Sequence, residues 1–580
     1  MIETTFAGFW HSHAKSLLTV ILLGGCLPQF NAQIAVETPD LKETQDRLEA
    51  RSNETGRELI AVVLPLEVDF FDAASFVETN GRRVWSLNVD APGALATCLY
   101  FDDFHLPLGS ELFFETPEGV YEKTWVEGPV TAIENNQHRR WSNNEVPGES
   151  LTMIYSCPIG VTEEAALGID GLGFFVRHQN FPSPWSQADA RVGSGDCHVD
   201  VNCPEGDSWE CEKDAVVRLR TTFYDESLNQ TVGGLCSGSM VNNTARDCRQ
   251  LMLSAFHCVN DLEEDDWAVF KVQFNYEYYE CGGTSSINSR TRTGAIPLTN
   301  SNDIGGWLNA ISGSDFVLAE VEDPIPANWN PFYAGWDATE TDPDGAVGIH
   351  HPNGDRKKIS TIDRMSTAVP APHATGAHWD VEWTSTESGF GVTEGGSSGS
   401  AIFDYRHRIL GTLSSGASAC TYGVQPTPWF GPQESDYYGK MSYHWDGPNP
   451  IPTSSKLKAF LDPIGTGEEF MDGSYVQMDA EGNVSCDVYT SCAATQVEER
   501  FIAGLTVSPN PTAGTIRVTL PSGFELAELR WFDSMGRSLG ASDGGQFNGE
   551  LDLSAWGRGV RYVTVTTQDG WSTTRRVIVQ

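Results

Sequence analysis

The chain is short of positive charge. Lysine and arginine together number 37 against 79 aspartates and glutamates in 580 residues, a formal net charge of -42 at pH 7. Phosphates would be repelled by such a surface, which excludes nucleic acid as a partner; the surplus acid reads as a solvated exterior suited to a secreted or salt-tolerant protein. Long apolar runs are also missing. The stretch Leu17-Leu18-Thr19-Val20-Ile21-Leu22-Leu23 falls short of the roughly 20 residues that a membrane span needs. Following Lys15, it reads as the core of a signal peptide covering residues 1–33, with cleavage near Ala32. Leu23-Gly24-Gly25-Cys26 also leaves a lipid-anchored start open. Closely spaced cysteines are absent too: the 13 are scattered, which argues against a cysteine-held zinc. Setting Cys26 aside leaves an even dozen, the mark of an oxidising compartment with up to six bridges.

No cofactor or metal is called for. The acidic run from Asp261 to Trp267 offers carboxylates to calcium, but a solvated loop accounts for it. His350-His351 precedes Pro352-Asn353-Gly354 and reads as a hairpin turn rather than a metal pair.

What the chain does have is Gly395-Gly396-Ser397-Ser398-Gly399-Ser400 leading into Ala401-Ile402-Phe403-Asp404. A serine between glycines, opening onto an apolar strand, has the form of a nucleophile loop. Gly396 has backbone freedom closed to other residues, so its N–H and that of Ser398 can converge as an oxyanion hole. A nucleophilic serine needs a base, and the base an orienting acid. Leu251–Phe256 is an apolar strand end followed by His257 and Cys258; Asp315 opens the apolar strand Phe316–Glu320. Each alone has a structural reading, a loop histidine and a strand cap. In the order His257, Asp315, Ser398 they make a triad.

Several further strings stand in the same order. They are Cys197-His198-Val199-Asp200-Val201-Asn202-Cys203-Pro204, Ala334-Gly335-Trp336-Asp337, Gly391-Val392-Thr393-Glu394 and Ser435-Asp436-Tyr437-Tyr438-Gly439. On these the region 192–474 resembles the lysyl endopeptidase branch of the chymotrypsin-like serine proteases. That resemblance implies an all-β fold of two six-stranded antiparallel barrels with the triad between them. It implies that Asp436 selects a basic side chain, and that Ser414-Ser415-Gly416 pairs with the substrate backbone as an added strand. Where relatives carry an aromatic residue and a histidine, this chain has Pro370 or a neighbour and Ser414, so arginine is admitted beside lysine. The resemblance also implies the bridges Cys197–Cys420, Cys203–Cys281 and Cys236–Cys258. Cys211–Cys248, Cys98–Cys157 and Cys486–Cys492 remain as candidate pairs. Ser397 stands where trypsin-like zymogens place an aspartate that binds a freed N-terminus, so activation here should not use that ion pair.

Residues 34–191 alternate like strands, as in Val84–Val89, with turn signals at Asn80-Gly81 and Pro107-Leu108-Gly109. They read as a β-rich propeptide, with Arg191-Val192 as the processing bond. Ser454–Asp462 reads as a terminal helix stopped by Pro463, and residues 475–504 as a linker. Residues 505–580 open with Val507-Ser508-Pro509-Asn510-Pro511 and resemble the sorting domain recognised by the type IX secretion machinery, an Ig-like β-sandwich. The expectation is a monomeric, secreted or surface-attached endopeptidase acting on proteins or peptides after lysine or arginine. The alternatives are the same fold with another side-chain preference, and a protease-like adhesion protein.

Overall fold

The computed structural model describes residues 32–579 except 118–125, 178–192, 284–288, 304–312, 327–328, 341–344, 368–373, 421–430, 479–483, 487–504, 511, 521–525, 534–537, 548 and 568–571. Residues 1–31 of the leader, the Arg191-Val192 bond and Pro370 therefore lie outside the described residues. Two compact units emerge, one of residues 1–206 with 211–489, the other of 490–580 with 207–210. Among the described residues no helix is long and apolar enough to cross a membrane.

After a short strand at Gln33–Ala35, the first unit continues with helix α1 (Leu41–Thr55), capped by Asp40, whose Oδ1 accepts from the Glu43 amide at 2.8 Å, and ended by Gly56 at φ +74°. Strand β1 (Glu58–Asp69) follows, then Ser75–Thr79 and β2 (Arg82–Asp90). These two strands are joined through Asn80 and Gly81, both at positive φ, as a two-residue hairpin requires. Strands β3 (Ala96–His105) and β4 (Ala166–Phe175) sandwich a core of Leu99, Phe101, Phe114, Leu172 and Phe174 with the β2 sheet. Strand β4 pairs with both β3 and β1.

Next come β5 (Val216–Asp225), β6 (Gln230–Met240), β7 (Leu251–Ser254), β8 (Lys271–Phe274), β9 (Arg290–Thr293), β10 (Ala295–Asn300) and β11 (Val317–Val321). Their antiparallel pairings run β9-β8-β5-β6-β7-β11-β10. Only Gly294, at φ +92°, separates the two ends of that series. Strand β1 adds to β6, so one 12-stranded sheet runs from the N-terminal part into this one.

Strands β12 (Ala346–His350), β13 (Lys358–Thr367), β14 (His378–Trp383), β15 (Ala401–Asp404), β16 (Arg408–Gly416) and β17 (Asp436–Lys440) close on themselves. The ring runs β15-β12-β13-β14-β17-β16 and back to β15. Closure removes the free edges that a sheet otherwise exposes, and Val381, Ile402, Leu413 and Tyr438 fill the interior.

Several sequence expectations need correction. Cys248 is bonded to Cys486, which removes both the Cys211–Cys248 and the Cys486–Cys492 pairs, although Cys211 is itself disulfide-bonded. Cys98 and Cys157 are buried free thiols, lying on β3 in one sheet and on Ser150–Pro158 in the other. The terminal helix shrinks to the 3-10 turn Thr453–Ser455 and the single turn Lys458–Leu461, too little chain to propagate a longer helix. Part of the stretch read as linker is fixed in place: Ser474–Tyr475 pairs with Phe332–Tyr333, and Cys486 is buried.

The second unit holds a three-stranded and a four-stranded sheet. They share a core of Ile516, Val518, Leu529, Trp531, Val563 and Val577, which makes it a β-sandwich.

Candidate active site

Strand β7 delivers His257. After Ser254, whose Oγ donates to the Ser237 carbonyl at 2.8 Å, the chain turns through a 3-10 step at Phe256–Cys258. The Cys236–Cys258 bridge fixes that turn to β6. Strand β11 delivers Asp315, which precedes it in a left-handed conformation at φ +58° that a non-glycine residue adopts only when its surroundings require it. Here they do. The Asp315 amide donates to Asp303 Oδ2 at 2.5 Å, and its carboxylate accepts the His257 amide on Oδ1 at 2.9 Å.

The second carboxylate oxygen meets the imidazole: His257 Nδ1 and Asp315 Oδ2 are 2.7 Å apart. Ser414 Oγ donates to the same oxygen at 2.7 Å. Burial alone would raise the Asp315 carboxyl, but the His257 charge and these hydrogen bonds hold it down at about 2. It is therefore an anion at any working pH, able to fix the imidazole tautomer and stabilise an imidazolium. His257 Nε2 is buried and has no hydrogen-bond partner among the described residues, so the ring's other nitrogen is free to take a proton.

Ser398 lies on the loop before β15, itself 6% exposed. Its carbonyl accepts the Ser237 amide at 2.9 Å and sits 3.8 Å from Cys258 Sγ, beside His257. Gly396, at φ +85°, leaves no room for a side chain: a Cβ would come within 2.8 Å of the Gly354 nitrogen. Among the described residues neither the Gly396 nor the Ser398 amide donates an internal hydrogen bond, whereas Ser397, Gly399 and Ser400 all do. Two uncommitted amides flanking Ser397 have the chemistry of an oxyanion hole.

Asp436, at the start of β17, is fully buried. Its Oδ2 accepts Trp383 Nε1 at 2.6 Å, Thr393 Oγ1 at 2.7 Å and Ser418 Oγ at 2.6 Å, while among the described residues the one hydrogen bond on Oδ1 comes from the Ser418 amide at 3.1 Å. Burial pushes its carboxyl up, and these donors act against the rise. Opposite Asp436 stands Gly416, where a Cβ would meet Oδ1 at 1.8 Å; a glycine is needed for the two strands to lie this close. Ser415 and Gly416 pair with Tyr437 and Asp436, and Ser414 falls at the irregularity between Leu413 and Ser415.

The bridges Cys197–Cys420 and Cys203–Cys281 tie residues 197–203 to the rest of the unit. Cys197, His198 and Cys420 come within metal-binding distance of one another, but both sulfurs are spent in that bridge. Asp261, from the run weighed as a calcium loop, instead pairs with Arg57 at 2.9 Å. The strands at His350 and Lys358 do pair as a hairpin, connected through a 3-10 turn at Pro352–Gly354.

Sequence reasoning missed the groups behind the His257–Asp315 pair and the serine loop. Ser397 Oγ lies 2.7 Å from His350 Nδ1, so a neutral serine–histidine contact stands where an ion pair was ruled out. Ser314 Oγ lies 2.7 Å from the buried His444 Nδ1 and 3.0 Å from Asn449 Nδ2. Burial lowers His444 to about 3, which keeps it neutral. Asp303 lies twelve residues from its partner. No local motif marks His444 or Asp303, since both act through folding.

The closed barrel, the buried His–Asp pair and the serine on its glycine loop all fall within one stretch of the chain. Residues 192–439 match the family described as Lysyl endopeptidase, C-terminal domain, and residues 506–580 match the Secretion system C-terminal sorting domain. A lysyl endopeptidase of Pseudomonas aeruginosa is 31% identical over 262 residues, covering 44% of this chain and 51% of that protein. The chain thus spans about half the length of the curated relative it matches. Among solved structures, a protease from M. tuberculosis in its active form is 14% identical at a TM-score of 0.26, covering 45% of this chain and 90% of its own. The inactive form of the same protease is 14% identical at a TM-score of 0.24, covering 42% and 90%. The chain therefore carries a region similar to lysyl endopeptidases and, behind it, a sorting domain that indicates secretion or the cell surface.

Proposed function

We propose that this chain is a secreted serine endopeptidase that hydrolyses peptide bonds after lysine and arginine. The observation that carries the reading is the 2.7 Å contact of His257 Nδ1 with a buried Asp315 kept anionic, beside a serine loop with two uncommitted amides. His257 Nε2 takes the Ser398 proton as Oγ attacks the scissile carbonyl, and the tetrahedral oxyanion forms against the Gly396 and Ser398 amides. Collapse hands the proton to the leaving amine; water then releases the acyl group by the reverse route. One lost oxyanion donor in such a site costs roughly 3–4 kcal/mol of transition-state stabilisation.

Asp436 supplies the charge for a basic side chain, with Ser415 and Gly416 pairing the substrate backbone. An ammonium or guanidinium group satisfies the under-used Oδ1, and a neutral side chain leaves it buried without a strong partner. In this reading the strands on either side of Gly294 act as one bent strand that closes a second barrel. Residues 1–33 are the leader, 34–191 the propeptide released at Arg191-Val192, 192–474 the peptidase, 475–504 the linker and 505–580 the signal for type IX export. Peptides differing only in the residue before the scissile bond test the specificity. Cleavage after lysine and arginine, and not after alanine, leucine or glutamate, is expected; preference for an acidic or neutral residue would overturn it.

A further inference from the structure

The N-terminal part does more than lean on the peptidase region. Strand β1 enters antiparallel to β6, pairing Val62 with Val232, Ala61 with Gly233, Leu59 with Gly234 and Glu58 with Leu235. Two consecutive glycines on β6 let the incoming strand sit close. Leu235 is the neighbour of Cys236, and Cys236 is bridged to Cys258, the residue after His257. Arg57, just before the paired run, and Glu58, its first residue, then reach the region of His257 and the serine loop. Arg57 Nε donates to the His257 carbonyl at 2.5 Å, and its Nη1 lies 2.9 Å from Asp261 Oδ2. Its guanidinium stacks over the Phe223 ring at 4.6 Å. The Glu58 carboxylate occupies the space where a Cβ on Gly395 would be, 2.6 Å from that position and one residue before Gly396.

An extended segment hydrogen-bonded to a sheet edge, with one side chain anchored in a defined set of partners, is how peptides bind by strand addition. None of Arg57's anchors is among the partners of Asp436, so this is a different pocket from the one that reads the residue before the scissile bond. We infer that the β6 edge at Gly233–Leu235 receives substrate on the leaving-group side, with a subsite for a basic side chain built from Asp261, Phe223 and the His257 carbonyl. Arg57 holds that subsite in this chain. The inference rests on the peptidase reading and adds a second basic determinant to it. Substrates with a basic residue on each side of the cleaved bond are favoured, and the N-terminal part competes with them for the same edge. Arginine fits better than lysine, since only the planar guanidinium can donate to Asp261 and the carbonyl while stacking on a ring.

The test uses the enzyme as cells secrete it and internally quenched peptides with lysine before the scissile bond. Arginine, alanine or glutamate is placed at either of the first two positions after that bond. Arginine at one of these positions should raise kcat/KM about fivefold or more over alanine, the scale of a half-exposed charge-assisted hydrogen bond. Asp261→Asn should bring that ratio to about one, and Asp261→Lys should favour glutamate. No preference for arginine in the parent enzyme, or one that survives both substitutions, overturns the subsite. Failure to cut even the alanine peptide overturns the peptidase reading on which it rests.

Discussion

Asp303 accepts the backbone amide of Asp315 at 2.5 Å, so one carboxylate holds the loop that presents another. Burial, and then the Asp315 charge, push the Asp303 carboxyl from its ordinary 3.8 up to about 7. The folded protein then keeps a proton that the unfolded chain releases between about pH 4 and 7, so stability falls as pH rises through that window. Asp303→Asn keeps an oxygen for the Asp315 amide and removes the charge. Its unfolding free energy should equal the parent's near pH 4 and exceed it by up to about 4 kcal/mol at pH 8. Urea titrations at both pH values check this.

Asp315 works in the opposite sense. Its folded value, about 2, lies below the ordinary 3.8, so its contribution is present above pH 4 and lost as pH falls toward 2; the two values correspond to about 2 kcal/mol. Asp315→Asn should leave the folded protein recoverable at pH 7 and lower kcat by about 10⁴-fold, because the amide favours the wrong imidazole tautomer. Steady-state kinetics beside circular dichroism separate the two effects.

For Asp436 the expected loss is one of selectivity. Asp436→Asn should lower kcat/KM on lysine and arginine peptides at least about 100-fold and leave neutral residues no worse than before. A variant that still prefers lysine would place the charge-reading group elsewhere.

Cys98 and Cys157 should behave as inert thiols. Both are buried, and burial raises the Cys98 thiol, disfavouring the thiolate that reacts. A thiol reagent should leave both unlabelled in the folded chain and label both in guanidinium, as read by peptide mapping. Failure to label either under denaturing conditions would mean that they are bridged.

The His257–Asp315 contact and the left-handed turn at Gly396 were legible in the sequence. A strand end before His257, a strand start after Asp315 and glycines around Ser398 are local signals, and their order along the chain joined them. The hairpin at Asn80-Gly81 was legible for the same reason, positive φ at two consecutive positions. What stayed hidden is long-range. Cys248 and Cys486 are 238 residues apart, and nothing in their spacing distinguishes that partner from the others. Asp303, His444 and Arg57 look like ordinary polar residues until the sheet brings them against the site. The docking of β1 on β6 could not be read either, because a paired strand and a strand awaiting a peptide have the same alternation.

The most direct measurement is mass-spectrometric mapping of a fluorophosphonate probe on the secreted protein, run beside His257→Ala. The account predicts one adduct, on Ser398, and its loss in the variant. A folded parent protein that leaves Ser398 unmodified, or labels as well without the imidazole, would contradict it.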